Sequence, residues 1–153
     1  MKLKIKFTSD LAREIYNKRE KPFAWVYGDS GLDLSYVGDA PIVMPAGGIS
    51  KFPTGIHAQI AGADSENYET QIRGRSGLKS KGILCTVGTI DFTYTGEYGV
   101  ILYNASNADF TVNPGDRIGQ LVAAPIIKPQ IEFVTELDAT NRGANGFGST
   151  GIK

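Results

Sequence analysis

One cysteine, one histidine and one tryptophan are all that this chain has of each, and neither charge sign is in excess. With Cys85 alone, no intrachain disulfide can form. With His57 and Cys85 the only imidazole and thiol, and no carboxylate cluster at ligand spacing, a closed metal cage has too few ligands. Sixteen basic residues balance sixteen acidic ones, so no overall field holds a nucleic acid or an anionic membrane. A polyanion must instead be met locally, where a few arginines and backbone N–H groups converge. The longest apolar stretch, residues 118–127, is broken by Gly119, Gln120 and Pro125 and falls short of the ~20 residues that cross a bilayer. The N-terminus alternates lysine with Leu3, Ile5 and Phe7 and has no signal-peptide core. The expectation is a soluble, cytoplasmic protein.

What is abundant is punctuation. Nineteen glycines and seven prolines divide 153 residues, the size of one domain, into short pieces. Short strands and tight turns make the fold class all-β. Residues 2–7 alternate at period two as a strand. One short helix follows, capped by Ser9 or Asp10, with Leu11, Ala12, Ile15 and Tyr16 on one face, and it ends before Pro22. Phe23, Trp25, Val26 and Tyr27 form an apolar run before a Gly28–Gly31 turn. Strands are then expected at 42–44, 49–52, 56–60, 68–72, 99–103, 110–112, 118–123 and 131–134. Asn113-Pro114-Gly115-Asp116 has tight-turn chemistry. Residues 1–137 read as one β domain. Residues 138–153 hold four glycines but only Phe147 and Ile152 as large apolar groups, so they read as a flexible Gly-rich C-terminal arm.

Three segments carry chemistry. The arm's Arg142, Phe147, Gly148, Ser149 and Thr150 combine a cation, a ring, hydroxyls and close-approach backbone, the equipment of a polyphosphate cradle. The same composition also describes an unstructured tail. Arg73-Gly74-Arg75-Ser76-Gly77-Leu78-Lys79 sets cations at a turn, and a helix starting near Ser76 would offer free N–H groups to an anion. A basic surface loop has the same spacing. Residues 88–97 place Asp91 between apolar neighbours with Tyr94 three residues on, a general base beside a ring that can stack on a sugar. A turn aspartate and a core tyrosine fit equally.

Taken in order, five segments resemble the five motifs of the trimeric dUTPase family, possibly of phage type. They are Ser30-Gly31-Leu32-Asp33-Leu34-Ser35, Gly74-Arg75-Ser76-Gly77-Leu78, the 88–97 segment, Gly115-Asp116-Arg117-Ile118-Gly119-Gln120-Leu121, and Arg142-Gly143 with residues 146–151. The resemblance implies a jelly-roll-like β barrel, a homotrimer, and hydrolysis of dUTP to dUMP and pyrophosphate with Mg²⁺. The first, second and fourth motifs would come from one subunit, the third from a neighbour and the arm from the third. It implies Asp91 as the base for water attacking the α-phosphorus, assisted by Arg75, which would hold Asp91, and by Gln120. It places Ser76, Gly77, Arg142, Gly148, Ser149 and Thr150 on phosphates. It places Gly88, Ile90, Tyr94 and Phe147 on base and sugar, with uracil read by backbone of an 86–90 hairpin. Mg²⁺ would ride on the triphosphate, with Asp33 near its water shell and no direct protein ligand. His57 and Cys85 are expected to be structural, Cys85 buried.

The sequence departs from the family pattern at Thr93 and Thr95, where an acidic residue and an arginine are usual, in a short 83–88 segment without asparagine, and in a long 11–27 stretch. Two alternatives remain: a dCTP deaminase of the same fold, and a regulatory protein that binds a repressor, as some phage members of the family do.

Overall fold

The computed structural model describes residues 1–144 and Gly146. Strand β1 (Lys2–Phe7) exposes its lysines and half-buries Leu3, Ile5 and Phe7. It pairs antiparallel with the long β4 (Ile49–Ala61), Leu3 opposite Ile60 and Phe7 opposite Ile56. Helix α1 (Asp10–Asn17) starts where Ser9 accepts a hydrogen bond from the Ala12 amide at 3.1 Å. It buries Ala12 and Tyr16 against the sheet. Then come β2 (Leu32–Ser35), β3 (Ile42–Met44), β4, β5 (Tyr68–Arg73), α2 (Ser76–Lys79), β6 (Ile83–Cys85), β7 (Gly88–Ile90), β8 (Glu97–Asn104), β9 (Phe110–Val112) and β10 (Arg117–Pro125).

The strands form a sheet ordered β1-β4-β8-β6, a second ordered β2-β10-β5-β7, and a β3-β9 ribbon. The chain is mostly β and jelly-roll-like, though its sheets do not close into one barrel. Between the sheets, Leu34, Phe52, Ile56, Val100, Leu102, Ile118 and Leu121 are almost wholly buried. On β8, Tyr98, Val100, Leu102 and Asn104 point inward at period two.

Three expectations need correction. Residues 49–52 and 56–60 are one strand, not two: β4 runs through Pro53, Thr54 and Gly55, absorbing them as an irregularity in its pairing with β8. Gly55 sits there at φ +68°, and a Cβ would lie 2.6 Å from Ala12 Cβ, so α1 can approach only because the residue is glycine. Residues 131–134 form no strand; Ile131 and Phe133 are 78% and 96% exposed, with no ladder partner for them among the described residues. The 23–27 run, to which the sequence assigns no element, is irregular, with Trp25, Val26 and Tyr27 exposed. A second helix exists, the single turn α2.

Tyr16 ties α1 to both sheets. Its hydroxyl donates to the Thr54 carbonyl at 2.9 Å and accepts from the Ser35 amide at 3.2 Å. Burial pushes its pKa up from 10.0 to about 12, against the opposing pull of the Ser35 amide. A raised folded-state value means this contribution is whole below pH 10.0 and is lost as pH rises through about 12. Tyr16→Phe leaves a buried amide and carbonyl without this partner. Chemical denaturation is expected to show a loss of about 1–3 kcal/mol.

Candidate active site

The site begins with a carboxylate that the sheet carries inward. All four residues of β2 are buried, and Asp33 is 8% exposed. In the register, Asp33 lies opposite Gln120 on β10, which lies opposite Arg73 on β5. Arg75 follows two residues after β5 ends. Gln120 Nε2 donates to Asp33 Oδ1 at 3.2 Å, Arg75 Nε to the same oxygen at 3.1 Å, and Arg117 Nη1 to Oδ2 at 3.0 Å. Arg117 reaches it because the β2–β10 pairing shifts between Arg117 and Gly119, re-aiming the side chain. Desolvation alone would raise the Asp33 pKa. The Arg75 charge, the Gln120 hydrogen bond and the Arg117 charge outweigh it, and the carboxyl sits below its ordinary value. Beside this cluster, Ser76 and Gly77 open α2 with Arg75 in the capping position. Four residues make too short a helix for a macrodipole; what the turn offers is N–H groups without intrahelical acceptors.

A separate cavity of about 290 Å³ lies along β7. Gly88, Thr89, Ile90, Asp91 and Tyr94 line one side, and Lys51, Tyr98 and Ile101 another. Asp91 is exposed at the end of β7, and its carbonyl accepts from the Tyr94 amide at 3.0 Å, closing a turn. Tyr94 stays 46% exposed. Its hydroxyl donates to the Glu97 carbonyl at 3.2 Å, and its ring centroid lies 6.1 Å from that of buried Tyr98. Tyr98 is itself pinned by the Thr70 hydroxyl at 2.8 Å. Gly96 makes the arrangement possible, since a Cβ there would lie 2.3 Å from the Tyr94 hydroxyl oxygen. Gly96→Ala is expected to push the ring off this seat. In steady-state kinetics KM for the nucleotide that the sequence resemblance implies should rise about tenfold, with a smaller loss in kcat.

The two halves stand apart. β2 and β7 are the outer strands of one sheet, three spacings of ~4.8 Å from each other. Asp33 lies in the row of Arg73, while Asp91 continues the β7 register toward Glu69, four residues of ~3.3 Å away. The two backbones are therefore about 20 Å apart in one chain.

A sequence model of the dUTPase family matches residues 22–151. The chain is 46% identical to the deoxyuridine 5'-triphosphate nucleotidohydrolase of Gloeothece citriformis over 127 residues, 81% of this chain and 83% of that protein. It is also 46% identical to that of Brucella melitensis over 129 residues, 81% of this chain and 80% of its relative. The chain belongs to the dUTPase family. Its fold is that of phage members: a Staphylococcus bacteriophage 80alpha dUTPase with dUPNHPP superposes with a TM-score of 0.80 at 24% identity, covering 99% of both chains. A dUTPase from phage phi11 of S. aureus, whose structure visualises a species-specific insert, superposes at 0.74 with 21% identity, covering 92% of this chain and all of its own. A variant of the phi11 protein coordinates a structural Mg(II) ion.

Within this family member, the residues expected from sequence fall into three groups. Arg75 and Gln120 hold the Asp33 carboxylate and Ser76 and Gly77 follow Arg75 directly in α2, so the first, second and fourth motifs meet in one chain. Gly88, Ile90, Asp91 and Tyr94 meet at the cavity. Arg142 lies in an exposed turn near the end of the described chain, and Phe147, Gly148, Ser149 and Thr150 lie outside the described residues. Within the chain Arg75 holds Asp33 rather than Asp91. The 86–90 segment is no hairpin: β6 pairs with β8 and β7 with β5, so the chain crosses between sheets there. Cys85 is half-buried, and burial raises its thiol pKa. The His57 ring bonds the Thr95 carbonyl at 2.8 Å, bracing the turn after Asp91. Sequence reasoning gave no role to Arg117, Tyr98 or Arg19, which donates to the Asp33 carbonyl at 2.9 Å. Arg117 had a signal, standing inside a quoted motif; Arg19 had none. Among the described residues no helix is long and apolar enough to cross a membrane.

Proposed function

We propose that this chain hydrolyses dUTP to dUMP and pyrophosphate, water attacking the α-phosphorus with Asp91 as its base. The cavity along β7 carries the reading: a strand backbone on one wall, a seated tyrosine on the floor and a carboxylate at the rim. N–H and C=O groups from Gly88 to Ile90 read the uracil edge. A cytosine amino group would leave buried partners unmatched, at about 1–3 kcal/mol each. Tyr94, fixed from behind by Gly96 and Tyr98, packs under the deoxyribose and leaves no space for a 2′-hydroxyl. Ser76, Gly77 and Gln120 contact phosphate, with Arg75 holding the cluster in shape. Arg142, Gly148, Ser149 and Thr150 take the γ-phosphate and Phe147 covers the uracil, closing the site against water.

The donor set suits Mg²⁺ carried in on the triphosphate. Among the described residues no three His, Cys, Asp or Glu side chains converge, and both Asp33 oxygens already accept from arginine. The ion would neutralise phosphate charge as the α-phosphorus is attacked.

One chain does not complete this site. Asp91 and Arg75 must both come within hydrogen-bond reach of groups around one phosphorus, and in one chain they lie on halves about 20 Å apart. A homotrimer in which one copy's Asp91 meets another's Arg75 resolves this. Two surfaces favour it: the exposed cross-strand row Ile49, Tyr103 and Leu84, and the unpaired apolar residues Ile131 and Phe133. Complementation tests it. Asp91→Asn and Arg75→Gln chains, each inactive alone, should on mixed assembly recover about a quarter of the wild-type rate, since random pairing unites an intact Asp91 with an intact Arg75 in about one site in four. No recovery in verified mixed oligomers would contradict sharing.

A second reading is regulatory. The 80alpha dUTPase is described as controlling transfer of virulence genes by a proto-oncogenic G protein-like mechanism. The exposed Trp25, Val26 and Tyr27 loop would be the contact for a repressor partner here. Capture of a partner that dUTP displaces would support it.

A further inference from the structure

The family match begins at residue 22, so α1 and Arg19 stand outside it. Their place in the fold is nevertheless against the phosphate-contact cluster. β2 is an edge strand, paired only with β10. On its open side the Asp33 carbonyl accepts from Arg19 Nη1 at 2.9 Å and the Ser35 amide donates to the Tyr16 hydroxyl at 3.2 Å. Two side chains three residues apart thus satisfy main-chain groups that a neighbouring strand would otherwise take.

Arg19 does more than cover an edge. Its guanidinium carbon lies 5.1 Å from the Tyr16 ring centroid and 5.8 Å from that of Phe23, which fixes its plane. Its Nε is buried without a hydrogen-bond partner among the described residues, an uncommon cost for an arginine kept only for packing. Burial lowers its pKa, Tyr16 and Asp33 oppose the drop, and Arg117 and Arg75 add to it, so the three guanidiniums share one electrostatic neighbourhood. Arg19 and Arg117 also line one cavity of about 200 Å³, together with Glu20, Lys21 and Gly115, so the two guanidiniums face a common space.

We propose that Arg19 is a positioning residue of the polyphosphate site: it holds the Asp33 strand from outside, and it adds a third guanidinium to the Arg75–Asp33–Arg117 cluster. The Asp33 carboxylate orients Arg75, Arg117 and Gln120 from one side of the strand, while Arg19 fixes the same residue from the other. This rests on the reading of that cluster as phosphate-binding.

The test compares full-length wild type with Arg19→Met, Arg19→Lys and Tyr16→Phe. Calorimetry measures binding of inorganic tripolyphosphate and of deoxyuridine, and melting temperature and dUTP kinetics are recorded alongside. Arg19→Met should weaken tripolyphosphate binding and raise KM for dUTP about five- to tenfold, with kcat within about twofold and deoxyuridine binding unchanged. Arg19→Lys, which keeps the charge but not the fork, should recover part of the loss. Tyr16→Phe should lower the melting temperature without weakening tripolyphosphate. A purely structural role makes Arg19→Met resemble Tyr16→Phe, and that outcome overturns the proposal, as does a wild type that does not bind tripolyphosphate. Should Arg19→Met not fold, Arg19→Lys is read by the same criteria. Arg19-dependent tripolyphosphate binding in a wild type that leaves dUTP intact would sink the hydrolase reading and leave the anion site standing.

Discussion

Asp91→Asn is expected to slow pyrophosphate release from dUTP by about 10²- to 10⁴-fold, the range for removal of a general base. The substitution is close to isosteric, and the residue's contact within the chain is made by its backbone: the Asp91 carbonyl accepts from the Tyr94 amide, which the change does not touch. The carboxylate is exposed at the cavity rim, so little folding energy depends on it. The melting temperature should therefore hold while kcat collapses. Binding of a non-hydrolysable dUTP analogue should stay within about tenfold of wild type, because the base, sugar and phosphate contacts proposed above are made by other residues. A kcat within about fivefold of wild type would remove Asp91 from the role of base.

The second large effect is at Asp33. Asp33→Asn replaces the one carboxylate between Arg75 and Arg117, with side chains 25% and 42% exposed, by a neutral amide. Fully buried, an orphaned pair costs about 3–5 kcal/mol; solvent at the arginines reduces this to about 2 kcal/mol. For a chain of this size that lowers the melting temperature by about 4–8 °C. KM for dUTP should rise together with the loss of stability, since the Gln120 amide and the Arg75 guanidinium are both oriented by Asp33. pH gives an independent check. The Asp33 pKa is lowered from 3.8 in the folded chain, so its contribution is whole above pH 3.8 and is lost as pH falls through the lowered value. The stability gap between wild type and Asp33→Asn should be constant near neutrality and close under acid conditions. A gap that does not vary with pH would mean that charge is not what Asp33 contributes.

The fold was readable where a local pattern decides it. The lysine alternation of β1, the Ser9 cap of α1 and the turn before β10 follow from residues within a few positions of one another. It was not readable where a partner far along the chain decides. Pro53 and Gly55 look like a break, yet β4 continues through them because β8 and α1 pack on either side. Residues 131–134 have strand chemistry, but among the described residues no strand is beside them. Chemistry-bearing motifs pointed to both groups of residues, the one around Asp33 and the one along β7. Composition and spacing do not show their separation, which depends on strand order and register; only the family resemblance implies that they come from different subunits. Arg19 was hidden for the same reason: nothing around it in sequence says that it reaches a carbonyl fourteen positions on.

The most direct measurement is pyrophosphate release from dUTP, dTTP, dCTP and UTP with Mg²⁺. Turnover of dUTP with the others at least about 100-fold slower in kcat/KM is the result that the proposed roles of the 88–90 backbone and Tyr94 predict. A well-folded protein that releases no pyrophosphate from dUTP, or that acts on UTP as readily, would contradict the account.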